Sequence, residues 1–294
     1  APPPHLLKNA NSLVQEEQYH LNITSDSTGE LFHRKVIAIF NEEGARSIEL
    51  ILLRKGTTLK AAHIWQYDKA GQEVFSADAR NEYNNLQHFP DGFATFTDRV
   101  MGFVKRSKTY PYTLAYEYTL KLSAIDIALG RSWTPQSLPG VSVAKSSFRV
   151  SVPKEIGIHY HAAEEVPAPK QQTTSTHLIY EWAVQDLPPM LVHNQIALLA
   201  VAPTRFVCEG VEGRADSWAS VSNYHYRRWQ TAATLPEALK VKARALAQEA
   251  GTTSETIAAI YKYVQQNYIS EEYYPMIGSF SPVSVRTMLT QKKK

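Results

Sequence analysis

Hydrophobic residues in the first three quarters of the chain recur in short runs with the period of two that β-strands show. Segment 112–122 is the clearest case, because Tyr112, Leu114, Tyr116, Tyr118 and Leu120 alternate with polar residues and one alanine. This alternation predicts a half-buried antiparallel strand. Further strands are predicted over 31–40, 47–53, 61–67, 146–152, 157–162, 176–184 and 195–201.

Turn signals and prolines separate these runs. Asn41-Glu42-Glu43-Gly44 and Asp68-Lys69-Ala70-Gly71 each follow a predicted strand, and prolines are frequent between residues 135 and 203. The polar segment 164–176 is predicted to be an exposed loop. Many short strands without a fixed repeat predict a mainly β fold, either one large β-sandwich or two Ig-like sub-sandwiches.

The period changes from two to that of a helix near residue 234. Thr234-Leu235-Pro236-Glu237 combines a capping box with a proline, and Gly251 ends the helix that it starts. A second capping box, 252–255, precedes an apolar stripe of helical spacing formed by Ile257, Ile260, Tyr261, Val264 and Tyr268. Ser281-Pro282 is predicted to cap a short third helix. The sequence thus predicts a β-rich domain over 1–230 and a helical segment over 231–294.

Composition excludes several classes of protein. The 294 residues are 44% hydrophobic and 20% charged, as in a soluble globular protein. A net charge of +3 is too even to indicate nucleic-acid binding, and no apolar run is long enough for a membrane span. The single cysteine, Cys208, excludes an intramolecular disulfide. The start at Ala1-Pro2-Pro3-Pro4 favours a removed signal peptide and a periplasmic or extracellular location.

Two pairs of residues have a spacing seen in functional sites. His159 and His161 share one strand face and could bind a metal, but no third ligand is evident, so surface histidines are the stronger interpretation. Ser142 and Lys145 match the serine–lysine spacing of penicillin-binding enzymes. That spacing requires a helix, whereas a strand is predicted here, so the match is interpreted as chance.

Three further candidates also favour structural roles. Cys208 follows a strand-like run beside an acidic residue, which favours a buried structural cysteine over a nucleophile. Tyr110, Tyr112, Tyr116 and Tyr118 could stack on a sugar or peptide, but strand aromatics more often form a core. Segment 271–274 is predicted to be a solvated turn. No catalytic, cofactor-binding or metal-binding residue is therefore assigned.

Several segments, in a fixed order, together resemble one bacterial family. They are IWQYDKAG (64–71), DGFATFTDR (91–99), the Tyr-Pro strand (110–118), the Trp-Pro-strand segment (131–160), YEWAVQDLPP (180–189) and APTRFVCEG (202–210). Their order resembles that of the DUF3857 family, a β-rich domain of unknown function.

The helical part resembles the opening of a transglutaminase-like, papain-like core. IAAIYKYVQQNY (257–268) and SFSPVSVRTMLTQKKK (279–294) are similar to the helices that precede that family's Gly-Asp-Cys segment. The resemblance implies that the nucleophilic cysteine and its His and Asp partners lie beyond Lys294. A full-length protein of this kind would be a cysteine peptidase or a transglutaminase-like acyltransferase.

The resemblance implies a function for this chain. It would be the accessory, substrate-presenting β-domain of an exported transglutaminase-like protein, and inactive by itself. Its partners would be a protein, peptide or glycan substrate and the remainder of the transglutaminase-like domain. Two alternatives stay open: an independent glycan- or peptide-binding module, and a structural or assembly domain.

Overall fold

A computed structural model of the chain describes residues 2–47, 50–53, 56–78, 83–85, 99–103, 107, 109–136, 138–164, 166–190, 199–208, 210–268 and 284–288. Its contacts divide the chain into two units, Ala1–Ser217 and Trp218–Lys294. The boundary predicted between residues 230 and 231 lies within a helix of the second unit.

Strands dominate the first unit. In chain order its elements are α1 (Pro4–Leu7), β1 (Ser12–Ile23), β2 (Gly29–Ile39), a 3₁₀ turn (Gly44–Ser47), β3 (Leu50–Leu53), β4 (Thr58–Tyr67), β5 (Glu73–Asp78), β6 (Tyr83–Asn85), β7 (Arg99–Phe103), β8 (Tyr112–Leu122), α2 (Ala124–Leu129), β9 (Arg131–Trp133), β10 (Val141–Pro153), β11 (Ile158–Ala162), β12 (Lys170–Thr173), β13 (His177–Leu187), β14 (Leu199–Pro203), β15 (Arg205–Cys208) and β16 (Val211–Arg214).

Eight of these strands form one sheet in the order β12-β13-β10-β1-β2-β8-β4-β5. The central pair β1–β10 is parallel, and the other neighbours in this sheet are antiparallel. Three smaller sheets have the orders β11-β14-β9, β15-β16 and β3-β7-β6. The predicted mainly β fold is confirmed, and β8 has the predicted bounds of 112 and 122.

One face of the large sheet forms the core. In β2 every second residue from Gly29 to Ile39 is buried, and in β8 the residues at even positions are buried. The intervening residues of β2 are half-buried or exposed. This is the pattern of an antiparallel sheet with one covered face, because successive side chains point to opposite sides.

The three-stranded sheet β11-β14-β9 packs against the β10–β13 part of this inner face. Trp133 of β9 donates a hydrogen bond from Nε1 to Ser146 Oγ of β10 at 3.0 Å. The Trp133 ring centroid lies 6.2 Å from that of Phe148, and the Tyr160 centroid lies 5.1 Å from that of Trp182. Buried aromatic side chains from both sheets, Trp133 from one and Phe148 and Trp182 from the other, form the sandwich-type packing that the sequence predicts.

Helix α2 was not predicted, although a capping box starts it. The Ser123 backbone N–H and hydroxyl donate to Asp126 Oδ2 at 3.0 and 2.8 Å, and Arg131 pairs with the same carboxylate at 3.1 Å. Burial raises the pKa of Asp126, but the Arg131 charge and the hydrogen bonds from Thr57 and Ser123 outweigh this effect. The pKa of Asp126 is therefore below its ordinary value. The helix ends at Gly130, whose φ of +68° requires glycine.

The second unit is helical. Its described elements are α3 (Trp218–Ala232), α4 (Glu237–Glu249), α5 (Thr253–Asn267) and α6 (Val285–Met288). The predicted helices after residues 236 and 252 are confirmed, and Thr252 Oγ1 accepts the Glu255 N–H at 3.3 Å. The capping box predicted at Thr234 is wrong, because Thr234 donates its hydroxyl proton to Gln230 O and Pro236 occupies the N-cap.

Segment 164–176 is exposed in part but is not only a loop, since it contains strand β12. Among the described residues, no helix is both long enough and apolar enough to cross a membrane.

Candidate functional site

Five polar side chains meet on the inner face of the eight-stranded sheet. This buried cluster consists of Glu17, His33, Lys35, Tyr118 and Ser146. The strand registers place them together. Glu17 of β1 lies opposite Lys35 of β2 on one side and Ser146 of β10 on the other, and His33 of β2 lies opposite Tyr118 of β8. Four adjacent strands therefore contribute to the cluster.

The Glu17 carboxylate is the centre of the cluster. Its Oε1 accepts from Lys35 Nζ at 3.0 Å and lies 3.2 Å from His33 Nε2, and its Oε2 accepts from Ser146 Oγ at 2.7 Å. His33 Nδ1 lies 3.0 Å from the Tyr118 hydroxyl. A neutral His33 with its proton on Nε2 satisfies both contacts, because Nε2 then donates to Glu17 and Nδ1 accepts from Tyr118.

The electrostatics of the cluster follow from burial and the Lys35 charge. Burial raises the pKa of Glu17, but the Lys35 ammonium and hydrogen bonds from His33 and Ser146 outweigh that effect and lower the pKa to about 2. Glu17 is therefore ionised at neutral pH and Lys35 supplies its counter-charge. Such a pair is costly to bury and very costly to break, because either partner alone would leave an uncompensated charge.

The arrangement contains a serine, a histidine and a carboxylate, but it is closed to solvent. His33 and Ser146 are 0% exposed, Glu17 is 3% exposed and Lys35 is 5% exposed. The Ser146 hydroxyl donates to Glu17 and accepts the Trp133 N–H, so both of its roles are taken. Perturbed pKa values often mark functional sites. In the buried cluster, however, the burial and the complete hydrogen bonding indicate a structural role, which is to link adjacent strands.

Sequence reasoning missed the buried cluster, although one signal was present. His33 and Lys35 occupy the same alternating phase of β2 as the buried residues Leu31, Ile37 and Ile39. Two ionisable residues in phase with an apolar strand face predict a buried polar group, and such a group requires partners.

The two predicted residue pairs are not brought together as sites. His159 and His161 of β11 are exposed, and the described part of the chain holds no group of three or more metal-binding side chains. Ser142 and Lys145 lie on opposite faces of β10, where Ser142 is buried and donates to Leu6 O at 2.7 Å while Lys145 is exposed. Their helical serine–lysine geometry is therefore absent.

The other predicted candidates have structural positions. Cys208 on β15 is 2% exposed. Tyr112, Tyr116 and Tyr118 are buried in the core, so they do not form a surface for stacking on a ligand. Segment 271–274 lies outside the described residues.

Comparison with known proteins identifies one family. Residues 25–190 match the sequence profile of a family described as a Domain of Unknown Function with a solved structure, DUF3857. No curated protein matches the sequence.

One solved structure matches the fold over most of this chain. The structure of a proposed protease from Parabacteroides distasonis superposes with a TM-score of 0.66 at 13% sequence identity, over 95% of this chain and 55% of that one. This chain therefore spans about half of that protein, and at such identity the similarity concerns the fold alone.

Two peptidases match more weakly. Legionella pneumophila aminopeptidase A, solved with aspartic acid, gives a TM-score of 0.32 at 12% identity, over 67% of this chain and 22% of that one. A Deinococcus radiodurans M1 zinc metallopeptidase gives 0.32 at 14% identity, over 65% and 42%. Scores this low do not indicate a common overall fold.

Proposed function

Because the chain belongs to the DUF3857 family, we propose that it supplies the non-catalytic, substrate-presenting β-domain of an exported transglutaminase-like protein. Catalysis in that protein would be performed by a cysteine-nucleophile core. The substrate would be a protein or peptide, which the β-domain holds or orients. Periplasmic or extracellular location is part of the proposal and rests on the family resemblance.

The observation that carries the proposal is that Cys208 and the Ser146–His33–Glu17 group of the described β-unit are buried. A cysteine nucleophile requires an accessible thiolate next to a base, commonly at a helix N-terminus. Cys208 is instead 2% exposed and lies on strand β15, and Ser146 is sealed within the buried cluster. Groups in these positions support folding and do not contact a substrate.

The helical unit supports the second half of the proposal. Helix α5, within the segment that resembles a transglutaminase-like core, leaves Ile257, Tyr261 and Val264 exposed by 64%, 64% and 43%. These residues lie on one helix face, at i, i+4 and i+7. We assign this stripe to contact with the remainder of the transglutaminase-like domain, since exposed apolar stripes usually mark a packing surface.

The fold match is compatible with the same organisation. The Parabacteroides distasonis protein is described as a proposed protease, and this chain corresponds to about half of it. In the proposal, the part of such a protein that corresponds to this chain presents the substrate, and the chemistry is performed elsewhere in the protein.

Peptide hydrolysis and amine incorporation test the proposal. The 294-residue chain and its Cys208→Ser variant are assayed with a fluorogenic peptide library and with a primary-amine probe on a glutamine-containing protein. We expect no turnover from either chain. Turnover by residues 1–294 that is lost in Cys208→Ser would contradict the proposal, because the only cysteine of the chain would then be catalytic.

A further inference from the structure

Three aromatic side chains connect the two sheets of the sandwich. This edge triad consists of Tyr160, Tyr180 and Trp182. Tyr160 belongs to β11, whereas Tyr180 and Trp182 belong to β13. The Tyr160 ring centroid lies 5.1 Å from that of Trp182 and 6.2 Å from that of Tyr180, and the Tyr180 and Trp182 rings stack with centroids 5.9 Å apart. The three rings therefore form one continuous contact between the two layers.

The triad runs from solvent into the core. Strand β11 is at one end of the three-stranded sheet, and β13 is next to β12, the edge strand of the eight-stranded sheet. Tyr160 is 42% exposed, Tyr180 is half-buried and Trp182 is 1% exposed. A molecule that reaches the outer ring would also lie close to the inner ones.

Trp182 has an unusual feature for a buried tryptophan: its Nε1–H has no hydrogen-bond partner among the described residues. The other fully buried tryptophan, Trp133, donates its Nε1–H to Ser146 Oγ at 3.0 Å. A buried donor without an acceptor destabilises the fold, and such donors are rare in native proteins. A bound molecule that supplies an acceptor to the Trp182 N–H would remove this cost.

We propose that the edge triad is a binding site for a neutral saccharide. The apolar face of a sugar ring would stack on Tyr160 and Tyr180, and a sugar oxygen would accept the Trp182 N–H after the exposed Tyr160 ring moves away from Trp182, because that N–H is buried in the free chain. Aromatic rings with a few polar groups are the usual composition of small-ligand sites. Gln171 of β12 lies opposite Tyr180 in the strand register, on the same face, and its uncharged amide can both donate to and accept from sugar hydroxyls.

The neighbouring strand favours a saccharide over an extended peptide. A peptide would bind this edge by adding a strand to β12. That strand has four residues, begins with Lys170 and follows Pro169, and short edges with lysine and proline resist such pairing. The site does not depend on any acyl-transfer chemistry, so it stands or falls independently of the proposed function.

Titration calorimetry after a screen on an array of neutral glycans tests the site. The 294-residue chain is titrated with each glycan that binds on the array, and with an acetylated and amidated hydrophobic peptide. We expect saturable binding of at least one neutral saccharide and none of the peptide. Binding of no arrayed saccharide, or of the peptide alone, would overturn the proposal.

Matched variants separate binding from folding. Tyr160→Ala, at an exposed ring, should weaken saccharide binding at least about tenfold, which is about 1.4 kcal/mol. Trp182→Phe keeps an aromatic ring but removes the N–H, and should weaken binding several-fold while the stability of the free chain does not fall. Tyr226→Ala, at a tyrosine that is 62% exposed on α3, is the control and should bind normally. Unchanged saccharide affinity in both triad variants would refute the site.

Discussion

Lys35 Nζ lies 3.0 Å from Glu17 Oε1, although the two side chains are 7% and 3% exposed. The ion pair joins the two strands β1 and β2 at the centre of the inner face, where apolar residues would be expected. Each charge is tolerated because the other is present, and His33 and Ser146 complete the hydrogen bonding of the carboxylate. The loss of one partner alone would thus leave an uncompensated charge at the centre of the sheet.

Substituting one member of the Glu17–Lys35 pair should therefore lower the free energy of unfolding far more than substituting both members together. We expect Glu17→Leu and Lys35→Met each to lower the free energy of unfolding by about 3–5 kcal/mol, because each leaves one buried charge unpaired. The double variant should lose much less than the sum of the two. Urea unfolding followed by circular dichroism measures all three values.

The exposed pair Glu30–Lys60 is the control for this cycle. Its side chains are 41% and 49% exposed, so Lys60→Met should change stability by about 0–1 kcal/mol. Additive losses in the Glu17–Lys35 cycle would show that the two charges do not compensate each other.

Acid should destabilise the fold through Glu17. Burial raises the pKa of this residue, but Lys35 and its hydrogen-bond donors lower it from 4.5 to about 2. Because the folded pKa is depressed, the contribution is complete above pH 4.5 and is lost as the pH falls towards about 2. The difference corresponds to about 3 kcal/mol.

The comparison that isolates this effect is Glu17→Gln, which cannot ionise. Its free energy of unfolding should be lower at neutral pH and should depend less on pH between 4.5 and about 2 than that of the parent chain. Equal pH slopes for the two proteins in this window would exclude Glu17 as the source.

Gly130 should be irreplaceable for a reason beyond its backbone angle. It has a φ of +68°, and a Cβ placed on it would lie 2.2 Å from the Val201 carbonyl oxygen. Gly71 has a similar φ of +81°, but a Cβ there would meet nothing within 4 Å. We expect Gly71→Ala to cost roughly 1–2 kcal/mol for the left-handed conformation alone.

Gly130→Ala should cost clearly more, about 3 kcal/mol or above, because the carbonyl of β14 must also move. Thermal and urea unfolding of the two variants provide the comparison. Equal losses of stability in the two variants would show that the chain can move β14 away from the end of α2 at little cost.

The Cys208 thiol should be protected from reagents in the folded chain. With 2% exposure it can react only when the structure opens. Its reaction with a chromogenic disulfide reagent should be at least about 100-fold slower in buffer than in denaturing urea. The variant Cys208→Ala/Ser222→Cys, which moves the thiol to an exposed position on α3, should react quickly under both conditions. Rapid labelling of native Cys208 would contradict the burial assigned to it.

The local sequence pattern was sufficient to predict those elements whose two faces differ clearly in polarity. Strand β8 was predicted to the residue because large apolar residues alternate strictly with small or polar ones. Helix α5 was predicted because Thr252 and Glu255 form a capping signal before an apolar stripe. In β8 the period of the sequence and the period of burial coincide, whereas the apolar stripe of α5 keeps its helical spacing although its residues Ile257, Tyr261 and Val264 are exposed.

Prediction failed where tertiary contacts override the local pattern. Helix α2 has only six residues, and α3 is rich in Trp and Tyr, which have modest helix propensity. The buried cluster and the edge triad depend on pairing between distant strands: Glu17 meets Ser146, and Tyr160 meets Trp182 from another sheet. A single sequence does not specify these pairings.

An active-site label on the full-length transglutaminase-like protein of the proposal is the most direct test of the central claim, that the described β-unit is accessory and not catalytic. The label is an electrophilic peptide analogue that traps a nucleophilic cysteine, and mass spectrometry locates the modified residue. We predict modification of a cysteine other than Cys208, with Cys208→Ala retaining full labelling and turnover. Modification of Cys208, with loss of turnover in Cys208→Ala, would contradict the account.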